Sequence, residues 1–176
     1  MSIIDKWRSI NENSRFLISY FFWFLTLFGI FYWGKYWDLS NIGKIIDNAI
    51  RSQIMDILRV FIDNKIVNNY EIVINPLYRV VITPECNGLI PYFIYLAGVL
   101  AYNSKLTTKI LWAVIGYIIF FIVNIIRLVI VTTVVSSYGS DKFFLIHDIG
   151  GNLLLIVVGL TMFKTFLKVA DGNKKY

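Results

Sequence analysis

The chain has 176 residues, of which 57% are hydrophobic and only 16% are charged, and its mean hydropathy is +0.66. Soluble domains average about half apolar and about a quarter charged residues, so this composition excludes an ordinary water-soluble domain and indicates one compact membrane domain with a few spans. The net charge of +6 requires no nucleic-acid partner, because most lysines and arginines flank apolar runs and can face anionic membrane lipid.

The first apolar run extends from Phe16 to about Trp33 and is long enough to cross a hydrocarbon core of about 30 Å. Because Lys6, Arg8 and Arg15 precede it, we expect its amino end in the cytoplasm. A cleaved signal peptide is the alternative interpretation. The bulky end of the run, where a cleavage site would need small residues, favours an uncleaved anchor.

An amphipathic helix is predicted after this anchor, because apolar residues recur there at helical spacing. Its apolar face is expected to contain Ile42, Ile45, Ile46, Ala49, Ile50, Ile54, Ile57, Leu58, Phe61 and Ile62. The charged residues that fall largely on the other side are Lys44, Asp47, Arg51, Asp56, Arg59 and Asp63. Such mixed charges do not suit a span, so we expect a structural lid on the outer interface or across the mouth of the bundle.

A short β-hairpin is predicted next. Residues 70–74 and 78–83 are rich in β-prone side chains, and Asn75-Pro76 supplies a turn signal between them. The hairpin would lead directly into Cys86.

Three further apolar runs predict spans over residues 89–102, 110–135 and 149–167. The first of these is short unless its flanks extend it, and the second must tilt or project beyond the bilayer. With the anchor, they predict an all-α membrane protein of about four transmembrane helices, in which residues 1–176 form a single domain.

Charge predicts the orientation of these spans. The loop over residues 103–109 carries two lysines and no acidic residue, and the tail carries Lys164, Lys168, Lys174 and Lys175. The positive-inside rule places the loop and both termini in the cytoplasm. Residues 34–88 and roughly 136–148 are then expected to face outward.

Cys86 is the single cysteine and precedes the second span. Pro91 is tolerated only in the first turn of a helix, so the helix should begin near Asn87 or Gly88 and place the sulfur beside free backbone N–H groups. These groups and the helix dipole favour a thiolate and can bind an oxyanion. The alternative is an inert buried cysteine or a lipidated one.

Arg127 lies about 26 Å along the third span from Ile110, just inside the predicted outer boundary. Asn124 is three residues earlier on the same helix face, and a polar stripe in an apolar helix normally faces the bundle interior or a cavity. The alternative is a snorkelling side chain that only anchors the helix at the interface.

His147 is the single histidine and lies at the outer end of the fourth span. An imidazole can take a proton from a thiol and return it to a leaving amine. Asp148 or Asn152 is placed to orient the ring, although Asp148 equally suits the amino-terminal cap of the fourth helix. Gly150 and Gly151 permit close helix packing nearby. The alternative is an ordinary interfacial histidine.

The predicted topology brings Cys86, His147 and Arg127 to one face of the membrane. A thiol, an imidazole and a guanidinium are the nucleophile, the acid/base and the oxyanion clamp of a cysteine acyl-transfer site. The same residues make a poor zinc site, since one cysteine, one histidine and no paired carboxylates are available. We therefore expect neither a metal nor another cofactor.

Three short segments resemble, in sequence and in order, the motifs of the exosortase/archaeosortase family: residues 84–88, 124–127 and 147–152. The resemblance covers roughly residues 73–159 and implies a membrane cysteine transpeptidase or protease of the prokaryotic plasma membrane. It makes Cys86 the nucleophile, His147 the acid/base and Arg127 the oxyanion stabiliser. Asn87 departs from the small residue that many members have at this position.

The resemblance also implies the substrates. The targets of this family are exported proteins with a carboxy-terminal sorting signal, which combines a short motif, a membrane span and a basic cluster. The enzyme cuts near the motif and can pass the acyl group to another acceptor.

Two other functions are compatible with the composition. A non-catalytic scaffold or accessory subunit of a secretion or polysaccharide export system would tolerate replacement of Cys86, Arg127 and His147. A small transporter would need a polar path through the bilayer, and the spans offer little for one beyond scattered Thr, Tyr and Asn.

Overall fold

A computed structural model describes residues 11–33, 42–62, 66–68, 70–75, 78–139 and 143–172. In chain order the elements are α1 (Glu12–Phe28) with a π-helical end (Gly29–Trp33), α2 (Ile42–Phe61), β1 (Ile66–Asn68), β2 (Glu71–Asn75), β3 (Tyr78–Val81), a 3-10 turn (Pro84–Asn87), α3 (Leu89–Ala101), α4 (Leu106–Tyr138), a π-helix (Phe144–Gly151) and α5 (Asn152–Gly172). The residues of the sequence analysis that lie outside the described ranges are Lys6, Arg8, Asp63, Pro76, Lys174 and Lys175.

The prediction of an all-α membrane protein with about four spans is confirmed. Within the described residues, three helices are long and apolar enough to cross a membrane: Glu12–Phe31, Leu106–Tyr138 and Phe144–Gly172. The fourth, α3, has only 13 residues and is about 20 Å long. Helical flanks do not extend it, because left-handed Gly88 precedes it and Tyr102 after it is extended. It is the central helix, packed against α1, α4 and α5.

The third and fourth spans are longer than predicted. Helix α4 begins before residue 110 and ends after residue 135, and the final helix begins at Phe144. Much of the connection expected over residues 136–148 is therefore helical. Apolarity marked the predicted bounds, whereas a helix continues through polar residues until a breaker such as Gly139, whose φ of +82° ends α4.

The amphipathic helix α2 packs as a lid over one end of the bundle. Its buried side chains contact the sheet, the cysteine segment and α4 in one core that includes Ile50, Ile54, Met55, Leu58, Ile62, Ile72, Val80, Ile82, Leu89, Ile125 and Leu128. This core surrounds Cys86, which is 7% exposed.

The predicted faces of α2 were wrong in two respects. Asp47, expected on the charged outer side, is only 8% exposed, whereas Ile45, Ile46 and Phe61, expected inside, are exposed. The reason is the helical period, because Asp47 lies three residues before Ile50 and therefore on the inward stripe.

The predicted hairpin is present as β2 and β3, and β1 adds a third antiparallel strand on the other side of β2. Strand β1 was not predicted, because three residues are too few to display alternation. Ile72 and Val80 are paired across the hairpin and both are buried in the core. The hairpin therefore fixes the start of the cysteine segment against the lid.

Candidate active site

The cysteine turn (Pro84–Asn87) holds Cys86 between β3 and α3. The backbone N–H of Cys86 donates to the Thr83 carbonyl at 2.9 Å, closing the turn. Gly88 follows in the left-handed region with φ +78°, and a Cβ there would lie 3.0 Å from Cγ of Asn124. Both features call for glycine. Helix α3 consequently begins at Leu89, one residue later than the predicted start near Asn87 or Gly88.

The structure brings Cys86, His147 and Arg127 together. Sγ of Cys86 lies 3.6 Å from Nε2 of His147, although the two residues are 61 positions apart in the chain. Nη2 of Arg127 lies 3.2 Å from the same Nε2. The three side chains thus form one cluster, in which Nε2 is the atom that both neighbours share.

Two neighbours orient the imidazole of His147. Nδ1 lies 2.7 Å from Oδ1 of Asp148, and the ring of Phe143 stacks on the imidazole with centroids 4.8 Å apart. A carboxylate can only accept, so Nδ1 carries a proton, and the arginine donor beside Nε2 favours the neutral tautomer in which Nε2 presents its lone pair. In that state Nε2 accepts from the thiol and the guanidinium, and once it has taken the thiol proton it donates to the thiolate.

The guanidinium of Arg127 points into the bundle, and the residue is 4% exposed. It donates to the His147 carbonyl at 3.2 Å, to Oδ1 of Asn152 at 3.4 Å and to Oδ1 of Asn124 at 3.4 Å. This geometry contradicts the snorkelling alternative. Nε of Arg127 is buried without a hydrogen-bond partner among the described residues, so the side chain keeps an unused donor.

Gly151 provides the space for Arg127. A Cβ at position 151 would lie 2.2 Å from Nε and 2.9 Å from Cδ of Arg127, in the middle of that side chain. A Cβ at Gly150 would meet only the Leu145 carbonyl, at 3.6 Å. Of the two glycines predicted to allow close packing here, only Gly151 is required by the structure.

Burial raises the pKa of the Cys86 thiol, but hydrogen bonds with His147 and with the side chain and backbone of Thr83 lower it by more, so the pKa lies below its ordinary value. The sequence predicts such a shift from the amino terminus of α3. In the structure, the first N–H of that helix is instead capped by Asn87, whose Oδ1 accepts from Leu89 N at 2.9 Å. The lowered pKa of the thiol is caused by its hydrogen bonds with His147 and Thr83.

Three neighbours of the site have hydrogen-bond roles that the sequence does not predict. Asn152 accepts from Arg127 rather than orienting the imidazole. Asn124, noticed only as part of a polar stripe, also donates to the Cys86 carbonyl at 2.8 Å. Thr83, whose Oγ1 lies 3.4 Å from Sγ, gave no signal in the sequence. Within the described ranges, no three His, Cys, Asp or Glu side chains group as metal ligands do.

The fold and this cluster define a multi-pass membrane protein with a thiol, an imidazole and a guanidinium packed together beneath a lid. The family model for the transmembrane exosortases matches residues 13–164, which include α1 except its first residue, the lid and all three clustered residues. The chain belongs to the transmembrane exosortase family, which confirms the resemblance seen in its motifs. No curated protein and no solved structure matches it significantly.

Proposed function

We propose that this protein is a membrane-embedded cysteine peptidase or transpeptidase that cleaves exported proteins at a carboxy-terminal sorting signal. The observation that supports it best is the 3.6 Å contact between Sγ of Cys86 and Nε2 of His147. A nucleophile within hydrogen-bond reach of a base that a third group orients is the arrangement that covalent catalysis requires.

The acylation step begins with transfer of the thiol proton to Nε2 of His147. The thiolate then attacks the scissile carbonyl carbon, and the carbonyl π electrons move to oxygen to give a tetrahedral oxyanion. When this intermediate collapses, the C–N bond breaks and Nε2–H returns the proton to the leaving amine. The products are a thioester on Cys86 and the freed carboxy-terminal fragment of the substrate.

Arg127 serves as the oxyanion donor. In the resting site its Nη2 donates to Nε2 at 3.2 Å, and a protonated Nε2 no longer has a lone pair to accept that bond. Proton transfer therefore removes one of the three acceptors of Nη2, which also donates to the His147 carbonyl and to Asn152, at the moment when negative charge develops on the substrate oxygen. The unused Nε–H gives the guanidinium a second available donor.

The deacylation step reverses the roles. His147 takes a proton from water or from an acceptor amine, which attacks the thioester carbon, and the thiolate leaves and is reprotonated. Water gives cleavage alone, whereas an amine gives a new amide and hence transfer of the substrate. Asp148 holds the imidazole in the same tautomer through both steps.

The depth of the site fits a substrate that is itself anchored in the membrane. Exposed apolar residues run along α4 from Ile110 to Ile130, about 30 Å, which is the thickness of the hydrocarbon core. Arg127 lies at one end of this run, and Lys105 and Lys109 lie at the other. By the positive-inside rule the lysine end is cytoplasmic, so the site faces outward across the plasma membrane of a prokaryote. A motif just outside a substrate's membrane span would reach this level.

Co-expression with tagged exported proteins that end in a motif, a membrane span and a basic cluster tests the proposal. Mass spectrometry of the tagged product should show a new carboxy terminus near the motif, either free or joined to an acceptor, only when the protein is present. If every such substrate stays intact although it is exported and the protein is inserted, the peptidase proposal is contradicted and a scaffold role is favoured.

A further inference from the structure

Asp47 in the lid is a buried carboxylate that the proposed chemistry does not use. Its Oδ1 accepts from Nδ2 of Asn87 at 3.0 Å, and its Oδ2 lies 2.5 Å from Nη2 of Arg51. The Arg51 guanidinium in turn lies over the Tyr70 ring, 4.0 Å from the centroid. Burying a carboxylate is costly unless it is paired, and here both of its oxygens have a donor.

Asn87 connects this lid network to the cysteine. Asn87 is 4% exposed, and both polar atoms of its side-chain amide are hydrogen-bonded. Nδ2 donates to Asp47, and Oδ1 accepts from Leu89 N at 2.9 Å. The neighbouring Cys86 carbonyl accepts from Asn124 of α4 at 2.8 Å. The cysteine turn is therefore held from two sides, by α4 through one bond and by the lid through the other.

We infer that Asp47 and Asn87 are positioning residues, and that their hydrogen bond across the lid keeps Sγ of Cys86 within reach of His147. The inference rests on the proposed function only for its effect on turnover. The Sγ to Nε2 contact of 3.6 Å depends on where the turn holds the sulfur, so a shift of the turn lengthens it. A misplacement of about 1 Å can lower a catalytic rate by ~100-fold.

Among the described residues, the groups whose charge bears on Sγ are His147 and Arg127, and neither belongs to the lid. Asp47 is separated from the thiol by the Asn87 amide and is neutralised by Arg51. Its influence on Cys86 is thus expected to act through position rather than through its field.

The test uses the single thiol of the full-length protein in detergent or nanodiscs. The rate of alkylation of Cys86 by iodoacetamide is measured against pH, beside processing of a cleaved substrate. Asn87→Ser keeps a short side chain that can cap Leu89 N–H but cannot reach Asp47. It should move the midpoint of the alkylation profile to higher pH and lower turnover by about 10- to 100-fold.

The exchange variant Asp47→Asn/Asn87→Asp separates position from charge. It restores an amide-to-carboxylate bond in the opposite sense, leaves the net charge unchanged and should recover most of the wild-type profile and turnover. Asn87→Asp alone sets two carboxylates against each other and should behave like Asn87→Ser. Asp56→Asn, which removes an exposed ion pair with Arg59 on the same helix, is the matched control and should change neither measurement.

A wild-type alkylation profile in Asn87→Ser, or an exchange variant no better than Asn87→Asp, would overturn the positioning role. Thermal unfolding of each variant is recorded in parallel, because lost stability alone lowers the unfolding temperature without moving the midpoint of the folded protein's alkylation profile. Failure of the proposed function leaves a different result, in which Cys86→Ala retains turnover while the alkylation profile of Asn87→Ser still shifts.

Discussion

Nε2 of His147 is approached by two donors, the Cys86 thiol at 3.6 Å and the Arg127 guanidinium at 3.2 Å. When the imidazole is neutral, the lone pair of Nε2 accepts from both of them. When the thiol proton moves to Nε2, the hydrogen bond from Arg127 to Nε2 must break. In the proposed reaction, the guanidinium then donates to the substrate oxyanion.

Replacing Arg127 by lysine tests this role at the residue scale. Lysine keeps the positive charge but lacks the planar fork of donors. Turnover should fall by ~100- to 1000-fold, equivalent to about 3–4 kcal/mol of transition-state stabilisation, as for loss of one oxyanion donor. Processing by Arg127→Lys is measured beside Arg127→Leu at matched expression. Near-normal turnover of the lysine variant would show that only the charge matters.

The pH dependence of Cys86 is a second prediction at this scale. Burial raises the pKa of the thiol, and the hydrogen bond with His147 is the largest of the contributions that lower it below the ordinary value. In His147→Leu the burial remains and that bond is lost, so the pKa must rise. The alkylation profile should shift to higher pH relative to wild type. An unchanged midpoint would mean that the imidazole does not favour the thiolate.

At the scale of elements, the π-helix (Phe144–Gly151) carries His147 and places Gly151 under Arg127. One π-helical turn takes more residues than an α-helical turn, which changes the directions in which successive side chains point. Apolar periodicity gives no sign of such a stretch. The sequence predicts that His147 lies at the outer end of the last span but does not indicate how its ring is aimed.

Gly151→Ala and Gly150→Ala form a matched pair for this element. The Cβ at position 151 would collide with the buried stem of Arg127, at 2.2 Å from Nε, whereas at position 150 it meets only ordinary contact. Alanine also favours helix over glycine by up to about 1 kcal/mol. Processing should fall sharply in Gly151→Ala and stay near wild type in Gly150→Ala. Thermal unfolding is measured to check that both variants are folded. Equal activities would show that Arg127 need not pass over Gly151.

The sequence predicts some residues of the candidate site and not others. Cys86, Arg127 and His147 were found because each is chemically unusual in its surroundings and the spans order them along the membrane. The sequence does not predict the burial of Asp47, because a charged residue of an amphipathic helix usually faces solvent, whereas Asn87 and Arg51 both bind this carboxylate. Long-range partners of this kind leave no periodic signal in the chain.

At the scale of the whole molecule, the topology can be tested with single cysteines in a Cys86→Ala background. Lys105 and Ser136 are both exposed and lie at opposite ends of α4. If both termini are cytoplasmic, a membrane-impermeant thiol reagent should label Ser136→Cys in intact cells and Lys105→Cys only after permeabilisation. Labelling of Lys105→Cys from outside would reverse the orientation and place the site in the cytoplasm.

The most direct test of the account is processing of a cleaved sorting-signal substrate by Cys86→Ala, with the new carboxy terminus measured by mass spectrometry. Alanine removes only the sulfur from a small buried site, so insertion and thermal unfolding should stay close to wild type. Because Cys86 is the single cysteine, no other thiol can replace it. We predict that this variant yields no new carboxy terminus, while the control Asp56→Asn processes the substrate normally. Processing at the wild-type level by Cys86→Ala would contradict the thiol mechanism.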